Sequence, residues 1–224
     1  WQDTYGIGSA DSARIWTDYT QLFTHDLPEW IHGWSQAPYT PTSPLSNWGN
    51  ETGLLTGDLH DWEVWHGNGT FERFQRNVGR FVSEHGFQSY PDSAYLARYI
   101  DPARLYFGSP ELAYRQRSYK TDRPILDAIQ RELQTAPSDL GRFIALGQQV
   151  QALALRTAVR AHIQGQPHCM GTLFWQLNDA WPGPSWSAID HGGHWKPAMH
   201  AVQEEFGAGP CGARDTFPRV SRGR

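Results

Sequence analysis

Apolar residues recur every three to four positions over two long segments of the chain, a spacing that predicts an α-helix in each. The first segment covers residues 11–33, where Pro28 should break or restart the helix. The second, residues 138–165, has the more regular apolar stripe and ends at a glycine, which can stop a helix. Each segment starts with residues able to cap a helix, namely Asp11 or Ser12 and Ser138 or Asp139.

Two shorter segments have an apolar centre and are candidates for buried strands. Residues 80–83 form the first, and it stops at Glu84. The second lies within residues 169–179 and ends at the polar pair Asn178 and Asp179. A strand, a loop, a helix and a further strand in this order are typical of a parallel α/β architecture. Two intervening segments are predicted as a long loop and as a short extended piece or turn: residues 37–53 and "DWEVWHG", residues 61–67.

Polar residues at strand ends are the first candidates for chemistry. In parallel α/β folds the active site lies at the carboxyl ends of the strands, where Glu84 and the Asn178–Asp179 pair stand. A partly buried carboxylate loses hydration energy, so an acid in this position is either functional or half of an ion pair. Position alone does not separate these two interpretations of Glu84. For Asn178 and Asp179 the favoured interpretation is that they hold the loop through turn hydrogen bonds.

Composition narrows the range of partners. A net charge of -4 over 224 residues gives no reason to expect nucleic acid or a membrane surface as partner, and no apolar run reaches the roughly 20 residues that cross a bilayer. The 11 Trp, 9 Tyr and 10 Phe residues can form core or flat platforms for sugar rings, and composition alone favours core. His191 and His194 lack a third ligand at suitable spacing, so no metal is expected.

The order of several motifs carries more information than periodicity. The motifs are "DSARIWTDYTQLF", "YTPTSP", "SNWG", "GDLHDWEVWHG", "GRFVSEHGFQSYP" and "GTLFWQLNDAWPGPSWSAIDHGGHWKPAMHAV". Together they closely resemble the catalytic barrel of glycoside hydrolase family 2, specifically the β-mannosidases. The resemblance extends from residue 1 to about residue 203 and weakens over residues 93–137. It implies an α/β fold, a (β/α)8 TIM barrel, and hydrolysis of terminal β-D-mannose with retention of configuration.

The resemblance also implies roles for four residues. Glu84, in "SEHG", matches the catalytic nucleophile of the family. Trp48 and Trp175 match tryptophans that line the pocket for the cleaved sugar, and His66 stands where related enzymes carry a Tyr or His near the nucleophile. The implied partner is a mannose-containing oligosaccharide or glycoside, and no cofactor is implied.

The chain departs from the family at both ends. Retaining glycosidases need a second carboxylic acid, and the Asn-Glu motif that supplies it in this family has no counterpart here. Residues 1–206 are therefore predicted to be the C-terminal half of the barrel, a partial TIM barrel that lacks the general acid and is inactive alone. Residues 207–224 are predicted to be an irregular tail, for which a frame shift is one hypothesis. Whether the chain works in the cytoplasm, the periplasm, a lysosome or outside the cell stays open.

Other interpretations stay open as well. The sugar could be that of another family 2 exo-β-glycosidase, a β-galactosidase or an exo-glucosaminidase. The chain could also be a non-catalytic carbohydrate-binding fragment, or a truncated product that does not fold alone. Asp58 is a candidate second acid, but it belongs to a polar cluster for which a solvated loop is the favoured interpretation. The other members of this cluster are His60, Asp61 and Glu63.

Overall fold

A computed structural model describes residues 6–208, which divide between two compact units at Leu45 and Ser46. The first unit is helical. Helix α1 runs over Ser9–Gln21, a π-helical turn follows at Leu22–Asp26, and helix α2 covers Leu27–His32. The first predicted helix is thus confirmed, but it starts earlier than expected.

Helix α1 is capped differently from the prediction. Its N-cap is Gly8, whose carbonyl accepts a 2.9 Å hydrogen bond from the Ser12 amide, so neither Asp11 nor Ser12 is the cap. Pro28 lies in the first turn of α2, directly after the π-helical turn. Because proline lacks an amide proton and clashes with the preceding turn, the helix restarts there, as predicted.

The second unit contains a parallel sheet of three short strands in the order β1-β2-β3. Strand β3 confirms the predicted strand near residue 80, although it lies two residues later and includes Glu84. Strand β1 falls in the segment predicted as a long loop, whereas β2 ends at Asp61, where the predicted short extended piece or turn begins. The strands are β1 Ser46–Asn47, β2 Leu59–Asp61 and β3 Val82–His85.

Residues 170–175 run alongside β3 as a fourth extended segment. Thr172 bridges Val82 in parallel, and the Trp175 amide donates a 2.8 Å hydrogen bond to the His85 carbonyl. The prediction that this strand is buried holds for one face only. Phe174 packs against a hydrophobic cluster, whereas Leu173 is 55% exposed.

Helices cover this unit, and the longest of them, α7, confirms the second predicted helix. Asp139 caps it by accepting a 2.8 Å hydrogen bond from the Arg142 amide, and Gly165 ends it. Helix α8 was not predicted, and it packs on α7. Its last two residues are the only described part of the predicted tail, since residues 209–224 lie outside the described residues. The helices are α3 Arg73–Arg76, α4 Ser93–Leu96, α5 Pro110–Arg115, α6 Arg123–Leu133, α7 Leu140–Gln164 and α8 Pro197–Ala208.

Aromatic side chains form much of the main core. Trp65 and Phe87 are buried in a T-shaped contact with ring centroids 5.1 Å apart, and Tyr90 packs edge-on against Phe143 of α7. Burying each such side chain stabilises the fold by roughly 2–3 kcal/mol. The core interpretation of the aromatic composition is therefore confirmed for these residues. None of the described helices is long and apolar enough to cross a membrane.

Candidate active site

Two side chains lie against the carboxylate of Glu84. The Trp62 indole Nε1 donates a 2.9 Å hydrogen bond to Oε2, and His60 Nδ1 lies 3.2 Å from the same oxygen. The Glu84 side chain is only 25% exposed, and such charge-assisted bonds compensate for the water that it loses. Oε1 has no hydrogen-bond partner within the described part of the chain.

Strand pairing brings these residues together. His60 of β2 is the register partner of Glu84 in β3. Leu59 and Asp61 on either side of His60 are buried, so the alternation of a strand turns His60 to the opposite face. Trp62 follows β2 directly, which places its indole at the carboxyl end of the sheet.

An aromatic wall continues from Trp62. Its ring meets His66 edge-on at 5.4 Å and Trp186 at 6.0 Å. His66 in turn stacks on Tyr119, with ring centroids 5.7 Å apart, and its Nδ1 lies 3.3 Å from the Tyr119 hydroxyl. Burial, and secondly the charge of Lys120, lowers the pKa of His66. The uncharged imidazole is thereby favoured as part of this wall.

The other two predicted pocket residues lie at the same end of the sheet. Trp48 follows β1, and its amide donates a 3.3 Å hydrogen bond to the His60 carbonyl. Its half-buried side chain packs against the main core and borders a cavity of about 540 Å³. Glu84 does not line that cavity. Trp175 is 45% exposed, and a cis peptide bond joins it to Gln176.

Gly86 lets two parts of the site approach one another closely. A Cβ atom at this position would overlap the carbonyl oxygen of Trp175 and would lie 3.3 Å from the Trp62 ring. Any larger residue would displace the Trp175 backbone, so a glycine is required directly after Glu84 and His85.

The polar cluster before "VWHG" is not a solvated loop, so that expectation is wrong. Asp61 is 1% exposed, and Asn77 donates hydrogen bonds both to it and to Glu63. Arg73 pairs with Glu63 at 2.7 Å, and Asp58 accepts a 2.6 Å hydrogen bond from the Ser83 hydroxyl. These three acids thus make contacts that support the end of the sheet.

Burial raises the pKa of Asp61 to about 6, against the smaller opposing effects of its hydrogen bonds from the Glu63 amide and Asn77. Its Oδ2 has no hydrogen-bond partner in the part of the chain that the structure describes. Behind β3, His85 and His162 both contact the Thr172 hydroxyl, at 2.9 and 2.8 Å. Burial lowers the pKa of His162 to about 4 and that of His85 well below its usual value.

The remaining polar residues that the sequence singled out have local partners. Asp179 accepts a hydrogen bond from the Ser187 hydroxyl at 2.5 Å, in keeping with a role in holding the loop. The Tyr95 hydroxyl lies 2.7 Å from His191, and His194 contacts Asp190.

Sequence reasoning missed Trp62 and Tyr119, and it placed His60 in a polar cluster without connecting it with Glu84. His60 and Trp62 stand two positions apart around a short strand, and this alternation was the only signal available. Tyr119 lies in the segment that resembles the family least, so nothing in the sequence connected it with His66.

Comparisons with known proteins find β-mannosidases. A β-mannosidase B of Thermothelomyces thermophilus is 35% identical over 182 residues, which is 75% of the chain and 21% of that protein. A β-mannosidase B of Neosartorya fischeri is 32% identical over 208 residues, which is 89% of the chain and 24% of that protein. The crystal structure of a β-D-mannosidase from Dictyoglomus thermophilum matches with a TM-score of 0.77 and 31% identity, covering 83% of the chain and 23% of that protein. No family model matches the chain.

These proteins are similar to the chain over most of its length. The chain is β-mannosidase-like, and its resemblance to the family 2 β-mannosidases is confirmed. The chain spans between a fifth and a quarter of the length of the curated relatives just described.

Proposed function

We propose that the protein containing this chain hydrolyses terminal non-reducing β-D-mannose residues with retention of configuration, with Glu84 as the nucleophile. The observation that carries the proposal is the state of the Glu84 carboxylate at the end of β3. One of its oxygens is held by Trp62 and His60, while Oε1 has no partner among the described residues. An oriented carboxylate with one free oxygen suits attack on an anomeric carbon.

The reaction has two steps. Glu84 attacks the anomeric carbon as the glycosidic bond breaks, and a second carboxylic acid protonates the departing oxygen. Water then cleaves the glycosyl ester, gives its proton to the second carboxylate and releases mannose with the original anomeric configuration. That second acid lies outside this chain in our proposal, since the three acids near β2 have structural partners.

The sugar pocket is proposed to include Trp48, His66 and Trp175. Aromatic side chains suit the apolar C–H faces of a pyranose, and the exposed ring of Trp175 offers such a surface. His66 would shape the pocket as part of the aromatic wall, because its ring contacts Tyr119 and Trp62.

Residues 1–206 are proposed to belong to a TIM barrel and to form its C-terminal half. Three parallel strands and the 170–175 segment follow one another in chain order, as barrel strands do. The exposed Leu173 supports this proposal, because interior positions of a barrel are normally covered by side chains from further strands.

The complete natural product of the gene that encodes this chain provides the test. Hydrolysis of 4-nitrophenyl β-mannoside, β-galactoside and β-glucosaminide would be compared, and proton NMR would identify the first-formed anomer. We expect preference for the mannoside and initial release of the β-anomer. Initial release of the α-anomer would refute the retaining mechanism, and preference for another sugar would refute the substrate.

Glu84→Gln separates the nucleophile from other acids near the sheet. This variant should lose activity by at least about a thousandfold. Glu63→Gln is the matched control, because Glu63 contacts Arg73 and Asn77 instead of the site, and it should keep most of the activity.

A further inference from the structure

A cavity of about 350 Å³ lies between residues 64–69, which follow β2, and helix α6. Pockets that bind small organic molecules have volumes of about 300–1,000 Å³, whereas a water molecule takes up only about 30 Å³ of the liquid. Glu84, Trp48 and Trp175 do not line this cavity, so it is not part of the proposed sugar pocket. It therefore has room for a ligand of its own.

The charged side chains of this cavity are mainly cationic. Lys120, Arg123 and Arg131 line it, and we call these three residues the cationic rim. Among residues 6–208, Asp127 is the only carboxylate that lines it, so the lining carries an excess of two positive charges. The whole chain, by contrast, has a net charge of -4. A positive cavity in a negative chain favours an anionic ligand.

The cationic rim has hydrogen-bond donors to spare. The Lys120 ammonium donates a 2.7 Å hydrogen bond to the Gly67 carbonyl, and no carboxylate pairs with it within residues 6–208. Arg123 and Arg131 each bind an acid of α6 through Nε, and their terminal nitrogens have no hydrogen-bond partner in the described part of the chain. The terminal nitrogens of a guanidinium are well suited to bind an oxyanion.

The acids beside the rim do not saturate it. The side chains of Arg123 and Asp127 are 77% and 49% exposed, and water weakens an ion pair as exposed as this one. Arg131 pairs with Glu132, which does not line the cavity, and its guanidinium carbon lies 5.4 Å from the centre of the Phe71 ring. The ring contact helps to hold this guanidinium in place before a ligand binds.

Apolar side chains line the inner side of the same cavity. Val64, Trp65 and Phe87 belong to the main hydrophobic core and are buried. A ligand in the cavity would meet aliphatic and aromatic groups on one side and cations on the other. An inorganic ion could use only the cationic rim, whereas an organic anion could use both sides.

We infer that this cavity binds a phosphate monoester with a small organic body. A phosphate monoester carries a charge of about −1.5 to −2 at neutral pH, which matches the excess of positive charge in the lining. The guanidiniums of Arg123 and Arg131 would donate hydrogen bonds to the phosphate oxygens, and Lys120 would add a third cation. The inference does not rest on the proposed function, because no residue of the proposed sugar pocket takes part in it.

Isothermal titration calorimetry on the complete gene product tests the ligand class, with phenyl phosphate as the probe. We expect it to bind at least about tenfold more tightly than benzoate, which carries a single charge, and than inorganic phosphate, which lacks an organic body. Equal or tighter binding of either competitor would overturn the assignment to a phosphate monoester. Absence of binding at about 10 mM phenyl phosphate would overturn the site itself.

Substitutions in the lining test the position of the site. Arg123→Gln and Arg131→Gln should each weaken binding of phenyl phosphate by about tenfold. Asp127→Asn should tighten it by about threefold or more, because the change removes the lining carboxylate and releases Arg123. Damage to the fold could not produce that gain. Arg104→Gln is the matched control, since Arg104 forms a similarly exposed ion pair with Glu111 away from the cavity, and binding should not change.

Unchanged affinity in both arginine variants, or weaker binding in Asp127→Asn, would overturn the site. Hydrolysis of a β-mannoside does not enter these measurements, so the site and the proposed function stand or fail independently. Saturation with mannose provides the last check, because mannose should leave the affinity for phenyl phosphate unchanged. Competition between the two would show that phenyl phosphate occupies the sugar pocket, and it would overturn the inference.

Discussion

Trp62 and Glu84 are 22 residues apart, yet the indole nitrogen of one donates a 2.9 Å hydrogen bond to the carboxylate of the other. An indole N–H can only donate, whereas the contribution of His60 depends on its tautomer. Trp62 is therefore the permanent partner that fixes the direction of the carboxylate. The same ring closes one side of the site against Gly86 and continues the wall towards His66.

Replacing Trp62 by Phe keeps most of the ring and removes the donor. We expect kcat to fall by about 10- to 100-fold with a smaller change in KM, because the carboxylate loses its orientation. Steady-state kinetics on a β-mannoside would measure this. Trp186→Phe is the matched control, since the Trp186 indole nitrogen has no hydrogen-bond partner among residues 6–208, and equal losses in both variants would contradict this role of Trp62.

Gly86→Ala should destabilise the fold and damage the site together. The added methyl group collides with the Trp175 backbone, which cannot rotate away as a side chain could. We expect a loss of about 1–3 kcal/mol in the free energy of unfolding, measured by denaturant titration. Gly207→Ala, in α8 with open space around its Cβ, should leave stability unchanged or raise it by less than about 1 kcal/mol.

Asp61 should weaken the fold at neutral pH. Its folded pKa of about 6 lies above the unfolded value, so the stability that it contributes is full below about pH 4 and is lost as the pH rises through 6. Asp61→Asn should therefore be more stable than the unaltered chain at pH 7.5, by up to about 3 kcal/mol, and nearly equal to it at pH 4. Melting curves at both pH values would measure the difference, and an equal effect at the two would contradict the assignment.

His162 should act in the opposite direction. Its folded pKa of about 4 lies below the unfolded value of 6.5, so its contribution is full above pH 6.5 and is lost as the pH falls towards 4. The loss approaches about 3 kcal/mol for a buried imidazole. His162→Gln, which keeps a polar group near Thr172, should lose less stability than the unaltered chain between pH 6.5 and 4. Tm measured against pH should fall less steeply in His162→Gln than in the unaltered chain. Equal slopes in this range would contradict the prediction.

The sequence predicted the long helices and the position of Glu84 because each depends on local pattern. Helix α7 repeats its apolar stripe over seven turns, and Glu84 follows an apolar strand. Strands of two or three residues, such as β1 and β2, are too short to carry a period, so their pairing appeared only in the structure. The contacts of Glu84 with His60 and Trp62 depend on that pairing, and for this reason the sequence alone did not reveal them.

Which side chains are buried was harder to predict than which segments have an extended backbone. The 170–175 segment has the apolar composition of a strand covered on both faces, but one face of it stays exposed in the described part of the chain. In the same way Asp61 looked like a solvated residue, although β2 turns it inward. In both cases the neighbours that decide burial are distant in sequence or outside this chain.

Trapping of the glycosyl-enzyme intermediate tests most sharply whether Glu84 forms a covalent bond with the sugar. The complete gene product would be treated with a 2-deoxy-2-fluoro-β-mannosyl fluoride, digested and mapped by mass spectrometry. If Glu84 is the nucleophile, we expect a fluoromannosyl group on the peptide that contains residues 80–91, attached at Glu84. A label on any other residue, or an inactivated enzyme with Glu84 unmodified, would contradict it.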